Sequence, residues 1–336
     1  MKKFIRSKSL CFFNNKWGVG KTTIAYNTAV KFAEHGYKTV LVDLDPQCNL
    51  SKLTLWDTFG ESLFNGRDDN VYGMLKGILK WGADVDLEIP HAQISENLQI
   101  LPGSIHLTQY ENLLITAYNQ AAAGQEIWYF QTSAISRYLK QYSMEYDVDL
   151  FILDLSPSLG LLNRVILLGS DYFVAPLMPD AFSVQWVENL WVTLQERKEN
   201  RKNTWRAMWG QIVADNILSG EWLFLGYIIN SYNQYNQKPI HAHKDWMKKI
   251  PWVVDKYISQ HHCKNGLVNK SSEKSLVDLK DYWELAADSH RANKAIFNLD
   301  PGIDFNDVEW TKDNWDLANS QFEELFNNLC AILHKY

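Results

Sequence analysis

Short apolar runs alternate with stretches that carry apolar residues at helical spacing along the first part of this 336-residue chain. The run at residues 10–13 is followed by a helical pattern over residues 22–34, and the alternation then repeats. Such runs are typical of buried strands, and helices between them produce a parallel sheet. The pattern predicts an α/β fold, a mostly parallel, doubly wound sheet with helices on both faces. The predicted strands cover residues 10–13, 38–43, 98–102, 150–154, 172–176 and 225–230.

The pattern weakens at two places, and these set the expected domain organisation. We predict a single domain over residues 1–336, with an insertion at about 55–95 and a helical C-terminal extension at about 237–336. Within the extension, residues 318–333 place their apolar side chains on one helical face. Few lysines or arginines border that face, so we expect the helix to pack on the sheet rather than on a membrane.

The segment between the first predicted strand and helix has the composition of a phosphate-binding loop. It reads Asn-Lys-Trp-Gly-Val-Gly-Lys-Thr-Thr over residues 15–23. Glycines allow backbone N–H groups to approach phosphate oxygens, and a helix N-terminus adds partial positive charge. Lys21 would reach the β- and γ-phosphates, and Thr22 would ligate Mg²⁺. The alternative is a glycine turn that contains Lys-Thr by chance, which the flanking strand and helix disfavour.

Acidic residues end two other predicted strands, at Asp43 with Asp45 and at Asp154. Loops that follow parallel strands meet at one edge of the sheet, so these carboxylates should gather around the glycine loop. Phosphate-bound Mg²⁺ takes only one or two carboxylates. We assign Asp43 and Asp154 to the metal and Asp45 to an attacking water. Taken singly, each aspartate could equally be a helix cap or a turn former.

Composition limits the partners, the state of the thiols and the cellular location that we expect. The formal charge of −6 gives no global basic field for nucleic acid, so any DNA contact must come from a local patch. The four cysteines show no CxxC pairing, which favours reduced thiols over a metal cluster or disulfides. The N-terminal apolar stretch is too short for a signal peptide, and no apolar run reaches the ~20 residues of a spanning helix. We expect a cytoplasmic protein.

Five ordered segments resemble those of the ParA/MinD ATPases. Residues 16–23 resemble the deviant Walker A motif KGGVGKTT, and residues 42–47 match the DxDPQ segment; residues 98–104, 154–162 and 175–182 resemble the next segments in the same order. The resemblance covers roughly residues 8–230 and implies a P-loop ATPase that binds ATP and Mg²⁺, nearer to ParA than to MinD.

The resemblance also implies roles for individual residues. Lys16 would cross a dimer interface to the partner's ATP, so that ATP binding drives a sandwich dimer and hydrolysis resets it. The catalytic set would be Lys16, Lys21 and Asp45. Pro179 and Asn230 would hold the adenine. The nucleotide-binding set comprises Gly18, Val19, Gly20, Lys21, Thr22, Thr23, Pro179 and Asn230, and the metal set comprises Thr22, Asp43 and Asp154.

Trp17 is the main departure from this pattern, because the family has glycine there. A glycine is used where nothing larger fits. One hypothesis is that Trp17 weakens or reshapes the dimer, so that ATP is bound firmly and hydrolysed slowly. The alternative is that the indole folds outward onto a local apolar surface and changes little.

Two basic sets are candidates for sequence-independent DNA contact, each with a solvated helix end or face as the alternative. They comprise Arg197, Lys198, Arg201 and Lys202, and Lys238, Lys244, Lys248 and Lys249.

Three classes of function remain open at this stage. The first is a partition-type ATPase that works on plasmid or chromosomal DNA through an adaptor protein. The second is an ATP-gated regulatory or interaction subunit, for example in a plasmid-borne or phage-defence operon. The third is a metabolic P-loop enzyme such as a cobyrinate or biotin-pathway synthetase, which the DPQ segment does not support.

Overall fold

The main sheet contains eight strands in the order β10-β7-β6-β1-β5-β2-β4-β3. The computed structural model describes residues 3–59, 68–80, 82–121, 127–158, 160–189, 223–232, 234–235, 238–239, 241–259, 274–305 and 309–336. Every strand of the sheet runs parallel to its neighbours except β3, which pairs antiparallel with β4 at one edge. The strands are β1 (Lys8–Phe12), β2 (Thr39–Leu44), β3 (Ala92–Ser95), β4 (Leu98–Leu101), β5 (Leu150–Leu155), β6 (Tyr172–Leu177), β7 (Leu223–Tyr232), β8 (Gln234–Tyr235), β9 (Lys238–Pro239) and β10 (Ser275–Lys280), of which β8 and β9 form a separate hairpin.

Helices cover both faces of the sheet. They are α1 (Lys21–Glu34), α2 (Asn49–Phe59), α3 (Val71–Lys80), α4 (Leu107–Ala121), α5 (Ile127–Thr132), α6 (Ala134–Tyr146), α7 (Leu161–Gly169), α8 (His241–Val254), α9 (Trp283–Ala292) and α10 (Glu309–Leu333). Residues 181–189 are also helical.

Strand β1 shows why the sheet carries two cores. Its residues alternate between faces, as the two-residue period of a strand requires. Cys11 packs into a cluster with residues of α3, α4, α6, α7 and α8, whereas Leu10 and Phe12 pack into a second cluster with residues of α1, α2, α9 and α10. A strand that is buried on both faces must be apolar throughout, which explains the continuous runs in the sequence.

The chain reverses its direction of winding beside β1. Strand β1 lies between β5 and β6, and α1 and α7, which leave β1 and β5, pack on opposite faces. Open parallel sheets bind ligands at such a switch point, outside the carboxyl ends of the strands. The fold therefore directs attention to the loops after β1, β2 and β5.

The predicted doubly wound sheet is confirmed, and each strand expected from an apolar run is present. The C-terminal helix is also confirmed as a packed element, because α10 contacts α1 and β10 and buries its whole apolar face. That face comprises Phe322, Leu325, Phe326, Leu329, Ile332 and Leu333.

The C-terminal segment differs from the helical extension that we expected. Residues 275–280 form β10, an edge strand of the main sheet, because Leu276, Val277 and Leu279 are apolar and buried beside β7. Within the region expected as an insertion, α3 buries Val71 and Met74 in one of the two cores.

Two expectations from composition concern membranes and thiols. None of the helices in the described ranges has both the length and the apolar character that crossing a bilayer requires. Cys11, Cys48 and Cys330 are free thiols, and Cys263 lies outside the described residues.

Candidate phosphate-binding site

The loop between β1 and α1 has the backbone geometry that its glycines predict. Gly18 and Gly20 adopt φ angles of 72° and 78°, a region that favours glycine. A Cβ on Gly20 would also collide with the side-chain amide of Asn230, which donates a hydrogen bond to the carbonyl of Val19 at 2.9 Å. Asn230 therefore contacts the loop itself, next to the N-terminus of α1.

Asn14, which the sequence analysis did not single out, fixes the start of this loop. Its Nδ2 donates to the carbonyl of Pro176 at 2.8 Å, and its Oδ1 accepts from the backbone N–H of Lys16 at 2.9 Å. The side chain thus ties the loop after β1 to the end of β6. A buried amide that joins a loop to a distant strand produces no periodic pattern along the chain, so the sequence alone could not reveal it.

The ammonium of Lys21 lies under the loop. Lys21 is only 7% exposed, and its Nζ donates to the carbonyl of Lys16 at 3.1 Å. Burial lowers the pKa of Lys21, and the nearby Asp154 and Asp45 carboxylates oppose that shift. The lysine is therefore held at the first turn of α1, where a phosphate would also meet the helix N-terminus.

Thr22 and Asp154 meet at the end of β5. The hydroxyl of Thr22 donates to Oδ2 of Asp154 at 2.7 Å, and Asp154 is fully buried. Its other oxygen, Oδ1, has no hydrogen-bond partner among the described residues. Burial, reinforced by the charge of Asp43, raises the pKa of Asp154 to about 8. A buried carboxylate with one oxygen unpaired beside a hydroxyl fits the requirements of a divalent cation.

Asp43 has a different environment from the one that we assigned to it. Its Oδ2 accepts from both the N–H and the hydroxyl of Ser51, at 2.9 and 2.6 Å, and its Oδ1 accepts from the N–H of Asp45 at 3.2 Å. The Ser51 hydroxyl also accepts from the N–H of Gly103 at 2.8 Å. Burial raises the pKa of Asp43 to about 6. This carboxylate therefore joins β2, α2 and the loop after β4, and its role at a metal stays a prediction.

Asp45 follows β2 and faces the lysine. It is 4% exposed, and its Oδ1 accepts from the N–H of Gln47 at 2.9 Å. Burial raises the pKa of Asp45, while the charges of Lys21 and Lys52 act in the opposite direction. The predicted water-positioning residue thus lies within electrostatic range of the predicted phosphate-binding lysine.

Lys16 contacts its own chain. Its Nζ forms an ion pair with Asp180, a residue that the sequence analysis left without a role, and lies 5.3 Å from the centre of the Phe182 ring. Pro179, next to Asp180, is buried. The spacing of Asp180 and Ser183 is typical of a helix N-cap, and this signal could have identified Asp180 as a fixed residue.

The side chain of Trp17 lies outward, and the residue is 64% exposed. This exposure decides neither interpretation of Trp17, so its effect on a dimer stays a prediction. The same exposure leaves a large aromatic surface beside Lys16 that a second protein chain would have to accommodate.

Of the two basic sets proposed for DNA contact, the structure describes only part of the second. Arg197, Lys198, Arg201 and Lys202 lie outside the described residues. In the second set, Lys244, Lys248 and Lys249 are exposed on α8, whereas Lys238 lies in β9 and its side chain is not described.

Across the described ranges, no group of three or more His, Cys, Asp or Glu side chains is arranged to hold a metal ion. A Mg²⁺ ion that is held mainly by phosphate oxygens needs only one hydroxyl and one carboxylate from the protein. Thr22 and Asp154 meet that requirement.

We predict that Ser51→Ala lowers the free energy of unfolding by about 1–3 kcal/mol, because Asp43 loses the hydroxyl donor and keeps only the backbone N–H of residue 51, and the N–H of Gly103 loses its partner in a buried site. Urea denaturation measures this difference. Ser143→Ala is the matched control, since Ser143 donates only to the carbonyl of Lys140 in its own helix. Equal stability of the two variants would show that the bonds of Ser51 contribute nothing to the fold.

Comparison with known proteins identifies the family of the chain. Residues 7–206 match the family AAA_31, described as an AAA domain. An uncharacterized protein of Methanocaldococcus jannaschii is 31% identical over 67% of this chain and 74% of its own length. The chromosome partitioning protein ParA of Myxococcus xanthus is 29% identical over 56% of this chain, and the match spans 59% of that protein.

The fold is also shared with solved structures. A candidate plasmid partition protein of Borrelia burgdorferi, bound to AMPPNP, matches with a TM-score of 0.57 at 16% identity, over 97% of this chain and 99% of the other. Taken together with the family match, these similarities identify the chain as a member of the AAA_31 family and a ParA-like P-loop ATPase.

Proposed function

We propose that this protein binds ATP with Mg²⁺, hydrolyses it, and uses the nucleotide as a switch for dimerisation in the partitioning of plasmid or chromosomal DNA. The observation that carries the proposal is the juxtaposition of the glycine loop, the buried ammonium of Lys21 and the Thr22–Asp154 pair at the switch point of the sheet. We place this activity in the cytoplasm, with an adaptor protein as a partner.

The phosphate-binding part of the proposal rests on the first turn of α1. Gly18, Val19 and Gly20 end the loop, and Lys21, Thr22 and Thr23 form the first turn of α1, whose N–H groups would bind phosphate oxygens. Lys21 neutralises phosphate charge, and Thr22 with Asp154 would hold Mg²⁺. Bound Mg²⁺ supplies further neutralisation of the phosphate oxygens.

The hydrolytic part assigns Asp45 and Lys16. Asp45 would orient the attacking water, since it lies within electrostatic range of Lys21 and directly follows β2, the strand beside β5. Lys16 would reach the nucleotide of a second subunit. Pro179 and the Oδ1 of Asn230 would contact the adenine, because Pro179 follows β6 and Asn230 lies near the end of β7, where its side chain contacts the loop.

The comparisons support this choice among the classes of function. The relative in Myxococcus xanthus is named for chromosome partitioning, and the solved structure from Borrelia burgdorferi is bound to an ATP analogue. The chain spans 59% of the Myxococcus protein, so the partitioning role is carried over as a proposal.

We predict that the protein changes from monomer to dimer only with ATP and Mg²⁺, and that Lys21→Ala abolishes the change because the phosphates lose their buried cation. Mass measurements in solution without nucleotide, with ADP, and with ATP plus Mg²⁺ provide the test. An unchanged mass despite ATP binding would contradict the dimerisation switch. It would favour an ATP-gated subunit of a larger system, in which the exposed Trp17 meets another protein.

Trp17→Gly tests whether the indole slows the cycle. We predict that this variant hydrolyses ATP faster and dimerises at lower ATP concentration than the parent, because an exposed indole beside Lys16 obstructs close approach of a second loop. Steady-state ATPase rates and the mass assay measure both effects. Identical rates and masses would show that Trp17 is neutral. Trp252→Ala is the control, because it removes another exposed indole, on α8.

We also propose that the exposed lysines of α8 contact DNA phosphates. The double variant Lys248→Glu/Lys249→Glu should lose ATP-dependent retention on DNA, and retention by the parent should fall steeply with salt. Lys312→Glu/Lys335→Glu is the matched control, because it makes the same charge change at exposed positions in and beyond α10. Equal losses in both double variants would mean that overall charge, and not α8, controls retention.

A further inference from the structure

Lys16 is held in place by three groups of its own chain. Its ammonium pairs with the carboxylate of Asp180, lies 3.7 Å from the sulfur of Met178, and lies 5.3 Å from the centre of the Phe182 ring. The side chains of Lys16 and Asp180 are 31% and 30% exposed, so the ion pair is shielded on most sides. All three groups belong to the loop and helix start that follow β6.

Asp180 is itself fixed by the backbone. Its Oδ1 accepts from the N–H of Ser183 at 2.9 Å, which caps the helix at residues 181–189. Its own N–H donates to the carbonyl of Met178 at 2.8 Å, and the hydroxyl of Ser183 accepts from the N–H of Met178 at 3.0 Å. The carboxylate thus presents Oδ2 to Lys16 from a rigid turn, and Oδ1 serves the cap.

Lys16 is also linked to the phosphate-binding lysine. The Nζ of Lys21 donates to the backbone carbonyl of Lys16 at 3.1 Å. That ammonium is the group that would meet the phosphates of a nucleotide, and it has three N–H donors, of which the Lys16 carbonyl takes one. The backbone of Lys16 is therefore fixed directly beside the group that would bind phosphate.

We infer that Asp180 is a positioning residue that holds Lys16 against its own subunit, and that this contact opposes the nucleotide-dependent dimer. The inference rests on the proposed function, because Lys16 can reach the nucleotide of a second subunit only if the dimer forms. One ammonium cannot pair with Asp180 and extend into a partner at the same time, so the two positions exclude each other.

The substitution Asp180→Asn removes the ion pair with Lys16 and keeps the N-cap of the helix at residues 181–189. Asparagine is as good an N-cap as aspartate, so the helix at residues 181–189 keeps its acceptor while Lys16 loses its charged partner. We expect the ATP concentration for half-maximal dimerisation to fall about two- to fivefold, the range of a partly exposed ion pair. An equal or higher ATP requirement would overturn the inference.

The matched control is Asp147→Asn. Asp147 pairs with Lys3 and Lys38 beyond the opposite ends of the strands, and its φ of 54° is a conformation that asparagine tolerates. This variant removes the same charge from an ion pair that is far from the loop. Its half-maximal ATP concentration should equal that of the parent, and a fall equal to that of Asp180→Asn would assign the effect to net charge.

A second measurement tests the Lys16–Asp180 contact in the monomer. An amine-reactive acetylating reagent is applied to the monomer without nucleotide, and modification of Lys16 is followed by mass spectrometry. Asp180→Asn should raise the rate at Lys16 severalfold and leave the rate at Lys312 unchanged, whereas an unchanged Lys16 rate would show that Asp180 does not hold it. If the parent never dimerises, the proposed function fails and the inferred opposition to the dimer fails with it; if the parent dimerises and Asp180→Asn does not differ, only the inference fails.

Discussion

The burial of charge at the carboxyl ends of β1, β2 and β5 is the constraint on which the site depends. Asp43, Asp45, Asp154 and Lys21 are each at most 7% exposed. Removing charged groups from water is costly unless they are paired and hydrogen-bonded. One ammonium among three carboxyl groups leaves an excess of acid, and burial accordingly raises the pKa of all three carboxyl groups. A divalent cation and the polar groups around it are the natural complement to this arrangement.

The fold makes that burial tolerable by giving each charged group a defined partner. Ser51 satisfies Asp43, Thr22 satisfies one oxygen of Asp154, and the carbonyl of Lys16 accepts from Lys21. The parallel register brings Asp43 and Asp154 side by side on adjacent strands. The two apolar cores then fix the strands, so the positions of the charges follow from the packing of the sheet.

Much of this arrangement could be predicted from the sequence, because it follows from periodicity and from short motifs. Continuous apolar runs identify strands that are buried on both faces, and the glycine loop identifies the turn into α1. The partners of the charged residues could not be predicted in this way. Ser51 reaches Asp43 from α2, and Asp180 reaches Lys16 from the loop after β6, and both contacts depend on tertiary packing rather than on local spacing. The strand at residues 275–280 was missed because helices flank it and its run is short.

Equilibrium binding of ATP, measured by calorimetry with and without Mg²⁺, tests the central claim most directly when the parent is compared with Asp154→Asn. The substitution keeps the shape of the side chain and replaces the ionisable carboxyl group beside Thr22 with a neutral amide. The account predicts that Mg²⁺ strengthens the binding of ATP to the parent, and that Asp154→Asn still binds ATP but gains little from Mg²⁺. No binding of ATP to the parent, or an equal gain from Mg²⁺ in both proteins, would contradict the account.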